Sequence, residues 1–185
     1  FPDCPTLGRI GLAVSYQNSK KVYALIDNRN ETKGNSAEVY KSTNGGESWK
    51  RTHRDTLRIF PSNNIGWYFA DIYVDPGDDE ELYALGVRMA HSDNGGDSFS
   101  IMEGLVQHIQ PSPAQTLHLD HCELWINPSN PDHIAVGNDG GLYVSYDKGD
   151  NWLHHNNIPA GEFYDITVDN QSPYNIFGGV QDNAR

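Results

Sequence analysis

Three acids occupy one place in a recurring stretch of the chain. Asp71 stands three residues before Val74, Glu123 three before Ile126 and Asp165 three before Val168; an earlier, more divergent copy has Gly11 there, before Val14. Two residues upstream of these positions are Arg9, Phe69, His121 and Phe163. Asp139 (in GNDGG) and Asp182 (in VQDN) fall in turns of the last two copies, Arg88 falls beside the matching position, and His118 and Asp120 precede His121. In this register, acids, histidines, arginines and aromatics converge on one mouth. Gathered carboxylates repel, so one is expected to hold its proton unless a cation offsets the charge. Such a group can act as general acid and base on a glycosidic bond, seat Ca²⁺ or Mg²⁺, or contact a sugar. Asp71, Glu123 and Asp165 are the candidate catalytic residues. Arg9, Arg88, Asp120, His121, Asp139 and Asp182 are the candidate ligand-binding residues of the same face. The plainer reading, preferred here, is that such acids bond backbone N–H groups and water around a channel. Zinc at HLDH is disfavoured, because only His118 and Asp120 share a side of an extended chain. His154 and His155 read as a solvated turn. Trp67, Tyr68, Trp125 and Tyr164 suit either sugar stacking or packing between sheets, and packing is preferred.

The elements that position these residues repeat. STNGGESW (Ser42–Trp49) returns as SDNGGDSF (Ser92–Phe99) and as SYDKGDNW (Ser145–Trp152). Upstream of each turn lie short β-branched and aromatic runs ended by Asn, Asp, Gly or Pro, which read as strands. DIYVDPGDDEELYALG matches ELWINPSNPDHIAVG and DITVDNQSPYNIFGG, and GLAVSYQNSKKVYALI is the divergent first copy. Each unit has four antiparallel strands, a to d, the pattern of a β-propeller blade. Units span roughly 9–53, 69–101 and 121–155, with a half unit over 163–185. The fold class is therefore all-β: about three and a half blades of an incomplete ring. Since propellers close with about 4–8 blades, the remaining blades are expected from a longer protein or from other chains. Met102–Ile109 is the one candidate helix. The long connections Arg51–Tyr68 and Ile101–Leu119 belong on the d–a face with the acids, and the repeated turns on the opposite face.

These turns resemble the Asp box, or BNR repeat, S/T-x-D/N-x-G-x-S/T/N-W/F. Ser42, Asn44, Gly46 and Trp49 fill it first, Ser92, Asn94, Gly96 and Phe99 second, and Ser145, Asp147, Gly149 and Trp152 third. The longer phrases are similar to secreted bacterial BNR-repeat glycosyl hydrolase-like proteins, and to sortilin-like and xyloglucanase-like propellers. The resemblance implies an extracellular or periplasmic location, and either a glycoside hydrolase or a protein- or glycan-binding module. The glycines of the box permit a tight turn, its Asn or Asp can accept from nearby N–H groups and its ring packs between sheets, so the box reads as a structural clasp. An EF-hand would need a different spacing of acids. No cofactor is assigned, with Ca²⁺ left open.

The formal charge of −12 over 185 residues argues against nucleic acid as a partner. No apolar run is long enough to insert in a membrane. Cys4 and Cys122 could pair, but nothing in their spacing says so. A true sialidase is disfavoured, since Arg9 and Arg88 are too few for an arginine triad. A binding module for a glycan, protein or peptide is preferred, and part of a glycoside hydrolase working through the channel carboxylates is the alternative.

Overall fold

In a computed structural model, the structure describes residues 6–29, 36–60, 65–102, 105–108, 115–161 and 163–180. Cys4 and Asp182 lie outside them. The first sheet runs β1 (Leu7–Val14), β2 (Val22–Asn28), β3 (Ala37–Ser42) and β4 (Lys50–Arg51), in that spatial order. A single 3-10 turn, Ile65–Trp67, leads to the second sheet of β5 (Asp71–Val74), β6 (Leu82–Leu85), β7 (Met89–Ser92) and β8 (Ser100–Ile101). Then come β9 (Leu105–His108) and β10 (Gln115–Thr116), the third sheet's β11 (His121–Ile126), β12 (Ile134–Asn138), β13 (Gly141–Ser145) and β14 (Asn151–His154), and a hairpin of β15 (Phe163–Val168) and β16 (Ile176–Val180). Within each blade, successive strands pair antiparallel. The chain is an all-β, open, incomplete propeller.

The sheets stack because each alternates apolar residues onto both faces. Tyr23, Leu25 and Val39 of the first sheet meet Ile72, Val74, Leu82 and Ala84 of the second, and all are buried. On the other side of the second sheet, Tyr83, Leu85 and Met89 meet Leu124, Ile134, Val136 and Trp152 of the third. A blade thus buries its faces only against its neighbours. The β15–β16 hairpin keeps the register of β11–β12, with the same irregularity after its first pair, yet every residue in its two strands is exposed.

Three glycine turns join strands c and d, and each satisfies its own polar groups. Ser42 Oγ accepts from the Gly46 N–H at 2.9 Å, Ser92 Oγ from Gly96 at 2.9 Å, and Ser145 Oγ from Gly149 at 2.8 Å. Oδ1 of Asn44, Asn94 or Asp147 accepts from the backbone N–H four residues on, at 2.9–3.0 Å. Gly46, Gly96 and Gly149 take φ of 91°, 88° and 96°, where a side chain is strained. Backbone bonds Gly45 N to Lys20 O, Gly95 N to Glu80 O and Lys148 N to Asp132 O tie each turn to the a–b turn of its own sheet.

The reading of Met102–Ile109 as a helix is corrected. Leu105–His108 is strand β9, paired in parallel with Asn151–His154 of β14 and antiparallel with β10. A helix of two turns gains little by itself, whereas β14 offers an edge of unpaired backbone groups. Within the Ile101–Leu119 connection, β9 and β10 therefore extend the outer edge of the third sheet, giving it six strands.

Candidate functional site

The mouth is built where β1, β5 and β11 begin. β1 and β5 approach backbone to backbone: a Cβ on Gly11 would collide with the Ala70 carbonyl oxygen and lie 3.0 Å from Asp71 Cα. This contact explains why the first copy has glycine where the later ones have acids. The approach also brings Arg9 within reach of Asp71. Arg9 Nη2 donates to both carboxylate oxygens, at 2.9 and 2.8 Å, and Nη1 donates to the Tyr68 carbonyl at 2.6 Å. One guanidinium nitrogen bridges both carboxylate oxygens while the other holds a backbone carbonyl, and such charge-assisted bonds fix direction as well as charge.

The next seam repeats the device with a neutral donor. Tyr73 Oη donates to Glu123 Oε1 at 2.8 Å. Burial, reinforced by this carboxylate, pushes the Tyr73 phenol well above its ordinary pKa, so it stays a donor. Tyr73 did not stand out in the sequence; the signal was its place two residues after an acid, on the same side of the strand.

β11 enters the third sheet through a hook. Asp120, at φ 65°, donates its N–H to Val87 O at 2.9 Å, and His121 donates its own to Gly86 O at 3.1 Å. These bonds hold the start of β11 on the β6–β7 turn that carries Arg88. His121 is 2% exposed and its Nδ1 has no hydrogen-bond partner among the described residues. Burial, with His118 adding repulsion, pushes its pKa down to about 4, so the ring is neutral at pH 7. His118 bonds the Leu119 carbonyl through Nδ1 at 3.0 Å, and its own carbonyl accepts from Asn138 Nδ2.

Cys122 lies within the electrostatic reach of several candidate acids. Its exposed thiol is pushed up first by burial, then by the charges of Asp139, Asp120, Asp71 and Glu123. These four candidate acids are near enough to act on the Cys122 thiol through their charge, with Arg9 beside Asp71. Asp165 stands apart on the exposed β15. Among the described residues, no group of three or more His, Cys, Asp or Glu is arranged to hold a metal ion.

An exposed aromatic pair borders the mouth. Trp67 and Tyr68 are 59% and 55% exposed and meet edge to face at 5.5 Å. Trp125 and Tyr164 are exposed too, so none of the four rings preferred for packing is enclosed. His154, read as a solvated turn, is buried. It stacks on Tyr143 at 4.3 Å, and its Nε2 lies 2.9 Å from Gly140 O.

No family model matches the chain, and no curated protein does. Solved structures do. The GH74 xyloglucanase from Xanthomonas campestris aligns over 85% of this chain with a TM-score of 0.59 at 20% identity, and the GH74 enzyme of Niastella koreensis over 77% with 0.55 at 20%. The chain spans 24% and 22% of their lengths. At this identity the likeness is one of fold, and it places the chain among β-propeller structures.

Proposed function

We propose that this chain is a propeller module of the Asp-box kind that binds a glycan or a peptide at its channel mouth, as part of a larger protein outside the cytoplasm. The observation that carries the reading is that the two inner-strand acids of the described seams are already engaged, Asp71 by Arg9 and Glu123 by Tyr73. Each is hydrogen-bonded across a seam by a neighbouring side chain, the arrangement of a scaffold acid. What the mouth offers instead is an exposed aromatic pair next to a fixed cation, a combination suited to recognition. The self-satisfied glycine turns support the Asp-box resemblance, with its implied secretion. The test is a glycan and peptide binding panel on the native chain and on Trp67→Ala. A ligand whose affinity falls at least tenfold in the variant supports the reading; a ligand that binds both equally removes the mouth from it.

A second reading is favoured by Asp71, Glu123, Asp120 and Asp139 all acting by charge on the Cys122 thiol. In it the chain supplies part of a glycoside hydrolase site, as the GH74 names of the two structural neighbours suggest. Glycoside hydrolysis calls for two carboxyl groups about 5–10 Å apart. A glycan-hydrolysis panel with Glu123→Gln and Asp71→Asn separates the readings. Turnover that both substitutions abolish favours the hydrolase, and intact binding without turnover favours the module.

A further inference from the structure

The outer rim is the sheet edge opposite the inner strands. Both seams open there into clefts, between strand d of one sheet and the glycine turn of the next. The cleft between the second and third sheets, about 550 Å³, is lined by His91, Ser100, Ile101 and Met102, facing Asp147 and Lys148. Between the first and second sheets two adjoining clefts of about 330 and 750 Å³ share Lys50, Arg51, Thr52 and Asp97. The repeat makes these places equivalent: Lys41 pairs with Lys50 as His91 pairs with Ser100. Stacking a seam therefore does not require the cations of the first cleft, since the second seam closes with Ser100 and Ile101 in place of Lys50 and Arg51.

The charge distribution points the same way. Ten of the 13 Lys and Arg residues lie in residues 1–60, with only six of the 25 acids. Two cations of the cleft are committed, Lys41 to Glu80 at 3.0 Å and Arg51 to Glu38 at 2.8 Å. Lys50 and Arg54 are exposed and have no ion pair among the described residues. Asp97 lines both adjoining clefts, and Asp55 only the larger. The Trp49 ring lines the smaller one.

The geometry points to a binding groove along β4 for a carboxylate-bearing oligosaccharide, its acid groups set on Lys50 and Arg54 and one sugar ring against Trp49. Two adjoining clefts suit a chain-like ligand, and a ring beside cations suits an acidic sugar over a plain acidic peptide. This site is independent of the mouth. Hexagalacturonate titrated into the native chain at low salt should shift the amide resonances of residues 49–55. Lys50→Ser and Arg54→Gln should each weaken binding about tenfold, and raised salt should weaken it further. Cellohexaose should not bind, and thermal melts of both variants should match the native chain. Absence of hexagalacturonate binding, binding undiminished in both variants, or equal affinity for hexaglutamate would overturn the proposal.

Discussion

Arg9 leaves the first sheet and takes both carboxylate oxygens of Asp71 in the second, at 2.9 and 2.8 Å. The pair sits where two inner strands meet most closely, so an ion pair that could read as chemistry also fastens a seam. The side chains are 43% and 27% exposed, and solvent screening limits what they contribute. Arg9→Met and Asp71→Asn should each lower stability by about 0.5–1 kcal/mol, with a coupling energy below about 1 kcal/mol in a double-mutant cycle read by urea unfolding. Zero coupling would mean that the pair does not fasten the seam.

Gly11→Ala should cost more. The new methyl group must displace the Ala70 carbonyl, which is backbone and cannot rotate away. Overpacking of this kind costs about 1–3 kcal/mol. The expected signature is a lowered melting temperature with the mouth's ligand affinity reduced in parallel, because β1 carries Arg9.

Ser92→Ala tests the glycine turn. Ser92 Oγ accepts from the N–H groups of Asn94 and Gly96, and its loss strands a buried donor, at about 1–3 kcal/mol. Urea midpoints should fall, while binding by folded protein stays unchanged. Selective loss of affinity would instead make the turn part of a site.

Acid should unfold the chain earlier than its carboxylates alone predict. An ordinary histidine titrates near 6.5 and His121 near 4. Between those values the unfolded chain binds a proton that the native ring refuses. This contribution is therefore complete above pH 6.5 and lost progressively toward pH 4, by about 3 kcal/mol. His53, lowered by burial, acts in the same sense. The stability of His121→Leu should fall less steeply between pH 6.5 and 4; an unchanged slope would show that His121 is not responsible.

Much of the fold was legible because its signals are local. Gly45–Gly46, Gly95–Gly96 and Lys148–Gly149 have positive φ where the sequence writes a turn, and alternation set the strands between. The mouth was legible in part, because the repeat puts Asp71 and Glu123 in register. Tyr73 was not, since its partner is 50 residues away and appears only when sheets stack. β9 was missed for the same reason: four residues carry little periodicity, and its pairing partner is β14. Asp165 reads as the third of a series, yet its hairpin stands exposed.

The parallel pairing of β9 with β14 bears on how the molecule meets copies of itself. A sheet edge is a template for another backbone, and short or covered edges blunt it. β4 and β8 have two residues each, too few to template much. β14 has four, and β9 covers all of them. β16, with five exposed residues, pairs on one side with β15 and with no further strand among the described residues. At high concentration, the outer edges of the three larger sheets, short or covered, should contribute little to intermolecular strand addition.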